Sequence, residues 1–152
     1  MSVFGRLQEL LGESPVDVSE KPVPQSDLNL ACAALLVEVA KADYADDPKE
    51  MEATITAIRE VLEIDDSAVE ELISEAQLEV EESASMFPHT KLINDHCTRE
   101  QKYIILKAMW KVAFADGNLD KYEEHLIRRV AGLIHLDHSE FIHAKIEARD
   151  SD

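Results

Sequence analysis

The chain has 152 residues, 45% of them hydrophobic, and a formal charge of −17 at neutral pH. That length suits one domain with a real core, and the charge repels phosphates, which excludes nucleic acid as a partner and disfavours electrostatic docking on anionic membranes. Cations and basic or apolar protein surfaces are the expected partners.

Val3, Phe4, Leu7, Leu10 and Leu11 predict a short amphipathic helix over residues 1–12, stopped by Gly12. Residues 13–26 carry Pro15, Pro22 and Pro24 among polar residues and read as a linker. The first helix is therefore tethered, and it is expected to pack back on the domain, with contact to a protein partner or a membrane as alternatives. Residues 27–150 then read as one helical domain.

Asp27 precedes an apolar helix through Leu30, Ala34, Val37 and Ala40. Asp47-Pro48-Lys49-Glu50 combines an N-cap, a proline at the first helical position and a capping-box glutamate, opening a helix with Met51, Ile55, Ile58, Val61 and Leu62 on one face. Ser67 and Glu70 form another capping box, predicting an acidic helix that places Val69, Leu72, Ile73, Ala76 and Val80 inward and ends before Pro88. Leu92 and Ile93 mark a short helix. Thr98 to Gln101 cap the next one, with Ile104, Ile105, Ala108, Met109, Val112 and Ala113 in helical register up to Asp116-Gly117. Asp120 starts a helix bearing Leu126, Ile127, Val130, Leu133 and Ile134, and Ser139 caps a last one with Phe141, Ile142 and Ile146 inward.

The chain repeats itself. Ala40, Ala42, Asp43, Asp47 and Glu50 recur at one offset as Ala113, Ala115, Asp116, Asp120 and Glu123. With the offset reduced by one, Ile55, Ile58, Leu62, Ile64 and Ser67 match Ile127, Val130, Ile134, Leu136 and Ser139. One extra residue in the first turn explains the slip. The fold class is thus all-α: a compact bundle of many helices built from two helical repeats, each a three-helix unit.

The run from Met109 through Ala113-Phe114-Ala115-Asp116-Gly117-Asn118-Leu119-Asp120-Lys121-Tyr122-Glu123 to Ala131 resembles the TerB-like family of tellurite-resistance proteins. That family's hallmark is an alanine-rich helix ending in Ala-Asp-Gly, followed by a helix opening Asp-x-x-Glu. The similarity extends more weakly over residues 28–149, and Tyr44 stands where the first copy would carry the hallmark glycine. The resemblance implies an all-helical fold with pseudo-twofold halves, association with tellurite and other chemical-stress resistance, and divalent cation binding by clustered acids. It implies no enzymatic activity.

Carboxylates at helix N-termini satisfy orphan backbone donors, so Asp47, Glu50, Asp120 and Glu123 have structural work without any ligand. Asp116 differs. It falls at a helix C-terminus, where negative charge is disfavoured, and faces Asp120 across a short turn containing Asn118. Oxygen atoms of Asp116, Asn118, Asp120 and Glu123 are candidate ligands for Ca²⁺ or Mg²⁺, and the first copy offers Asp43, Asp46, Asp47 and Glu50. The second turn departs from an EF-hand, with Lys121 at the glycine position and Ile127 at the bidentate glutamate position, so affinity should be modest. The competing reading is an acidic helical interaction module without a metal site.

Other chemistries lack their residues. Glu140 and His143 have Glu-x-x-His spacing, but no second such motif accompanies them. Four glycines form no phosphate-cradling loop and no nucleophile elbow. Cys32 lies on an apolar face and reads as core, as does Trp110. Arg128 and Arg129 are expected to pair with the acidic helix. With no secretory leader and no long apolar run, the chain is expected to be a cytoplasmic non-enzyme.

Overall fold

The computed structural model describes residues 24–41, 48–82, 85–115, 119 and 121–150. The helix expected over residues 1–12 and most of its linker lie outside them. Among the described residues there are seven helices and no strand: α1 (Gln25–Lys41), α2 (Pro48–Leu62), α3 (Asp66–Glu82), α4 (Phe87–His96), α5 (Arg99–Ala113), α6 (Lys121–Leu133) and α7 (His138–Asp150). None of these is long and apolar enough to cross a membrane.

Helix α1 is the axis of the bundle. Every residue from Ala31 to Val37 is buried, a stretch that turns through almost two full helical turns, so no face is left for water. Three alanines in that stretch, Ala31, Ala33 and Ala34, let neighbouring backbones approach, and α2, α3, α4, α5 and α6 all pack against it. The expected one-sided stripe was too narrow: Leu30 and Ala40 are only partly buried, while Leu28, Cys32, Leu35, Leu36 and Val39 are enclosed as well.

Helix α5 is the second pillar. It buries Ile105, Leu106, Ala108, Met109, Trp110, Val112 and Ala113 and packs on α7, α2 and α1. Trp110 is fully buried, stacked on Phe114 at 5.7 Å and tilted against Phe141 at 5.1 Å between ring centroids. Its capping box is complete: the Thr98 side chain accepts from the Gln101 backbone at 3.2 Å, and the Gln101 side chain accepts from the Thr98 backbone at 2.6 Å.

Three helix starts differ from expectation. Helix α1 begins at Gln25, because the Pro24 carbonyl already accepts from the Asp27 backbone at 3.0 Å. Asp65, rather than Ser67, opens α3 by accepting from the Ala68 backbone at 2.8 Å. Asp137, rather than Ser139, opens α7: its carboxylate accepts from the Glu140 backbone at 2.8 Å while Glu140 accepts from the Asp137 backbone at 3.1 Å. A carboxylate outcompetes a hydroxyl two residues later because it holds full charge at the positive end of the helix dipole. The last helix also turns differently: Ala144 and Ala148 are buried with Phe141, and Ile146 is 42% exposed.

The two repeated stretches of the sequence have one backbone feature in common. Helices α1, α2 and α3 correspond in position to α5, α6 and α7. The two non-glycine residues with positive φ among the described residues are Glu63 (53°) and His135 (63°), equivalent positions that end α2 and α6. Each is followed by an apolar residue, Ile64 or Leu136, and then by the capping aspartate, Asp65 or Asp137. The packing around the copies is not equal, since α2 lies along α5 more extensively than α6 lies along α1.

A left-handed residue with a Cβ carries strain that glycine relieves, less the greater freedom glycine has when unfolded. His135→Gly is therefore expected to stabilise the protein by about 0.5–1 kcal/mol, read as a rise of roughly 2–4 °C in melting temperature. His135→Ala keeps the strain and should give no such gain; an equal response to both variants would show that the position is unstrained.

Candidate functional site at the acidic turns

The two acidic turns occupy equivalent places, one between the end of α1 and the start of α2, the other between the end of α5 and the start of α6. Asp43, Asp46, Asp47, Asp116, Asn118 and Asp120 lie outside the described residues. Glu50 falls in the first turn of the α2 backbone, and its side chain is likewise outside the description.

Glu123 is the one candidate whose side chain is described, and it is fully buried in the first turn of α6. Glutamate is rarely enclosed so completely, because taking a carboxylate out of water is costly unless something compensates it. The helix dipole supplies part of that compensation. Its neighbour Tyr122 is 65% exposed, so α6 starts at the surface with Glu123 turned inward. Ahead of it in the chain, Ala113 is buried, Ala115 is half-buried, and Leu119 is partly buried against the core. Glu123 is thus enclosed by packing rather than open to solvent. The signal for this was present in the sequence: Glu123, Ile127, Val130 and Ala131 follow helical spacing on one face, and all four are buried.

Beside the second turn a shallow groove of about 630 Å³ is lined by Glu52, Ile55, Thr56 and Arg59 of α2 and by Ala115. Ala115 immediately precedes Asp116 in the sequence. Arg59 is held across its end by an ion pair to Asp66 at 2.8 Å.

The remaining polar residues have other occupations. Among the described residues no three His, Cys, Asp or Glu side chains group to hold a metal. Glu140 is bound by Arg99, whose Nε donates at 2.9 Å, and also completes the cap of α7. His143 tilts against Tyr103 and lies 3.5 Å from Glu147. The pairing of Arg128 and Arg129 with the acidic helix is not what forms: Arg128 lies 3.8 Å from Glu124 on its own helix and 4.9 Å over the Phe141 ring, while Arg129 enters no ion pair among the described residues. Long flexible side chains on α6 reach the next turn of α6 and the α7 ring before they reach α3.

With this geometry in place, residues 29–146 match the family model described as Tellurite resistance protein TerB. No curated protein and no solved structure gives a match.

Neither cysteine is poised for nucleophilic chemistry. Burial pushes the Cys97 thiol up to about 12 and raises fully enclosed Cys32 further. Folded protein at mildly alkaline pH should therefore leave a chromogenic disulfide reagent almost unreacted over minutes, and both thiols should react at once after unfolding. Rapid release of a full equivalent from the folded chain would contradict the burial argument.

Proposed function

This chain belongs to the TerB family of tellurite resistance proteins, and from that premise we propose that it is a cytoplasmic, non-enzymatic stress-response protein that binds a divalent cation, Ca²⁺ or Mg²⁺, at its acidic turns. Its second turn is the main site, using Asp116, Asn118, Asp120 and Glu123. Its first turn contributes Asp43, Asp46, Asp47 and Glu50 on the strength of the repeat.

The observation that supports this reading is the enclosed carboxylate of Glu123 beside a turn rich in oxygen ligands. A carboxylate out of water gains from a nearby cation far more than an exposed one does, because little solvent screens the pair. Oxygen donors favour the hard cations over zinc or copper, and the described residues provide no soft cluster. The departure from EF-hand spacing argues for modest affinity and for a response to changing cation levels rather than a permanent structural ion.

A second reading has its own support. Helix α3 exposes Glu70, Glu71, Glu75, Glu81 and Glu82 with Leu78 among them, 57% exposed. An acidic ridge with one apolar residue suits a basic protein partner. The two readings separate on whether calcium raises the melting temperature of the isolated protein, which the metal reading requires and the docking reading does not.

Calorimetric titration of Ca²⁺ and Mg²⁺ into the wild-type protein beside Asp116→Asn tests the proposal directly. The variant should lose at least tenfold in affinity while melting normally without metal. Equal heats from the two proteins would remove Asp116 as a ligand, and absence of saturable heat from wild type would end the metal reading.

A further inference from the structure

Away from the acidic turns, surface charge is sorted by helix. Helix α3 contains no lysine, arginine or histidine, and its Glu70, Glu71, Glu75 and Glu82 are exposed around Leu78. None of these four carboxylates has a hydrogen bond or ion pair among the described residues. Glu71 and Glu75 stand one turn apart and repel each other, and Glu82 lies at the negative end of the helix dipole with no base in the last turn. The ridge therefore opposes itself, and a cationic surface laid against it relieves that repulsion.

Helix α6 is its opposite. In a chain of formal charge −17, the exposed residues of α6 include Lys121, His125, Arg128 and Arg129 and no acid. Of its two glutamates, Glu123 is buried, and Glu124 is occupied by Lys145 at 3.3 Å and by Arg128 at 3.8 Å. Lys121 and Arg129 enter no ion pair among the described residues. Lys121 lies at the positive end of the α6 dipole, where a cation is disfavoured, with His125 and then Arg129 at one-turn intervals behind it. A row of carboxylates answers this strip as a cationic strip answers α3.

The two helices flank one cavity, of about 190 Å³, which Val80 of α3 lines together with Leu126 and Arg129 of α6. An acidic and a cationic helix thus lie side by side on the bundle. At 17 residues α3 is roughly 25 Å long, and a face two helices wide spans roughly 20 Å. Two such faces laid together cover roughly 1,000 Å², the lower limit for a specific interface.

We propose that this face is the contact between two copies of the chain, related by a two-fold axis passing between α3 and α6, so that each α3 lies on the partner subunit's α6. A uniformly basic partner would satisfy α3 and repel α6, and a uniformly acidic one would do the reverse. The face is complementary to its own two-fold image, so both helix pairs form at once and the assembly closes as a dimer. The net charges of the two copies repel at a distance, but at about 0.1 M salt that repulsion is screened beyond roughly 10 Å, whereas pairs desolvated at contact are screened much less. The inference rests on reading the α3 ridge as a docking surface, and it involves none of the acidic-turn residues.

Sedimentation equilibrium of the full chain at about 0.1 M salt tests it through two charge reversals. Wild type should dimerise with a dissociation constant on the order of 10 μM. Glu71→Lys with Glu75→Lys, and separately Lys121→Glu with Arg129→Glu, should each weaken the dimer at least tenfold without lowering the melting temperature. Mixed in equal amounts, the two variants should form a heterodimer as tight as the wild-type dimer, because both helix pairs are again opposite in sign. A mixture that fails to recover association overturns the pairing of α3 with α6, and a wild-type chain still monomeric at about 500 μM overturns the dimer. If that monomer binds poly-lysine and loses it with Glu71→Lys and Glu75→Lys, the ridge serves a foreign basic chain: the docking reading then stands and the dimer falls.

Discussion

Enclosing α1 on every side is the constraint from which the rest of the architecture follows. A helix whose central stretch from Ala31 to Val37 has no polar face cannot sit at a surface, and five other helices pack around it. Helix α5 is not equivalent in this respect. It buries most of its surface yet keeps Lys107 and Lys111 outward, which allows α7 to cover one side through Trp110 and Phe141.

The pillar arrangement fixes where function can be placed. In the chain, the two acidic turns follow the C-terminal ends of α1 and α5, the two helices that bury most of their surface. The buried side chain of Glu123 ties the start of α6 to that core directly. On the far sides of α2 and α6 the two copies close in the same way, through a left-handed residue, an apolar residue and an aspartate cap. Recurrence of a strained backbone residue at equivalent positions is stronger support for duplication than recurrence of apolar spacing, because apolar spacing is shared by unrelated helices. Asn94 adds a further tie by donating to the Leu133 carbonyl at the end of α6, satisfying a group the helix itself cannot.

Much of this was legible in the sequence, and what was missed has physical causes. The helices after residue 24 follow from apolar periodicity and start signals, and the Thr98 capping box is formed as its residues specify. Asp65 and Asp137 were passed over for the serines two residues later, although Asp137 and Glu140 satisfy the same spacing rule as Ser67 and Glu70; two valid caps in tandem are separated only by charge. The full enclosure of α1 was visible as a run from Leu28 to Leu36 broken by one polar residue, Asn29, but a stripe template hides it. Ile146 faces water because Phe141, Ala144 and Ala148 set the inner face of α7, and small residues beside a large tryptophan are not singled out by hydrophobicity alone.

Enclosed on every side over residues 31–37, α1 should be the last element to lose its protection. Native-state hydrogen exchange measures this residue by residue. The amides of Leu35, Leu36 and Val37 should exchange only through global unfolding, with an opening free energy equal to that from urea denaturation, while amides of α7 such as Ile146 and Glu147 open earlier. Exchange of the α1 amides through a cheaper partial opening, with α7 still protected, would contradict the account.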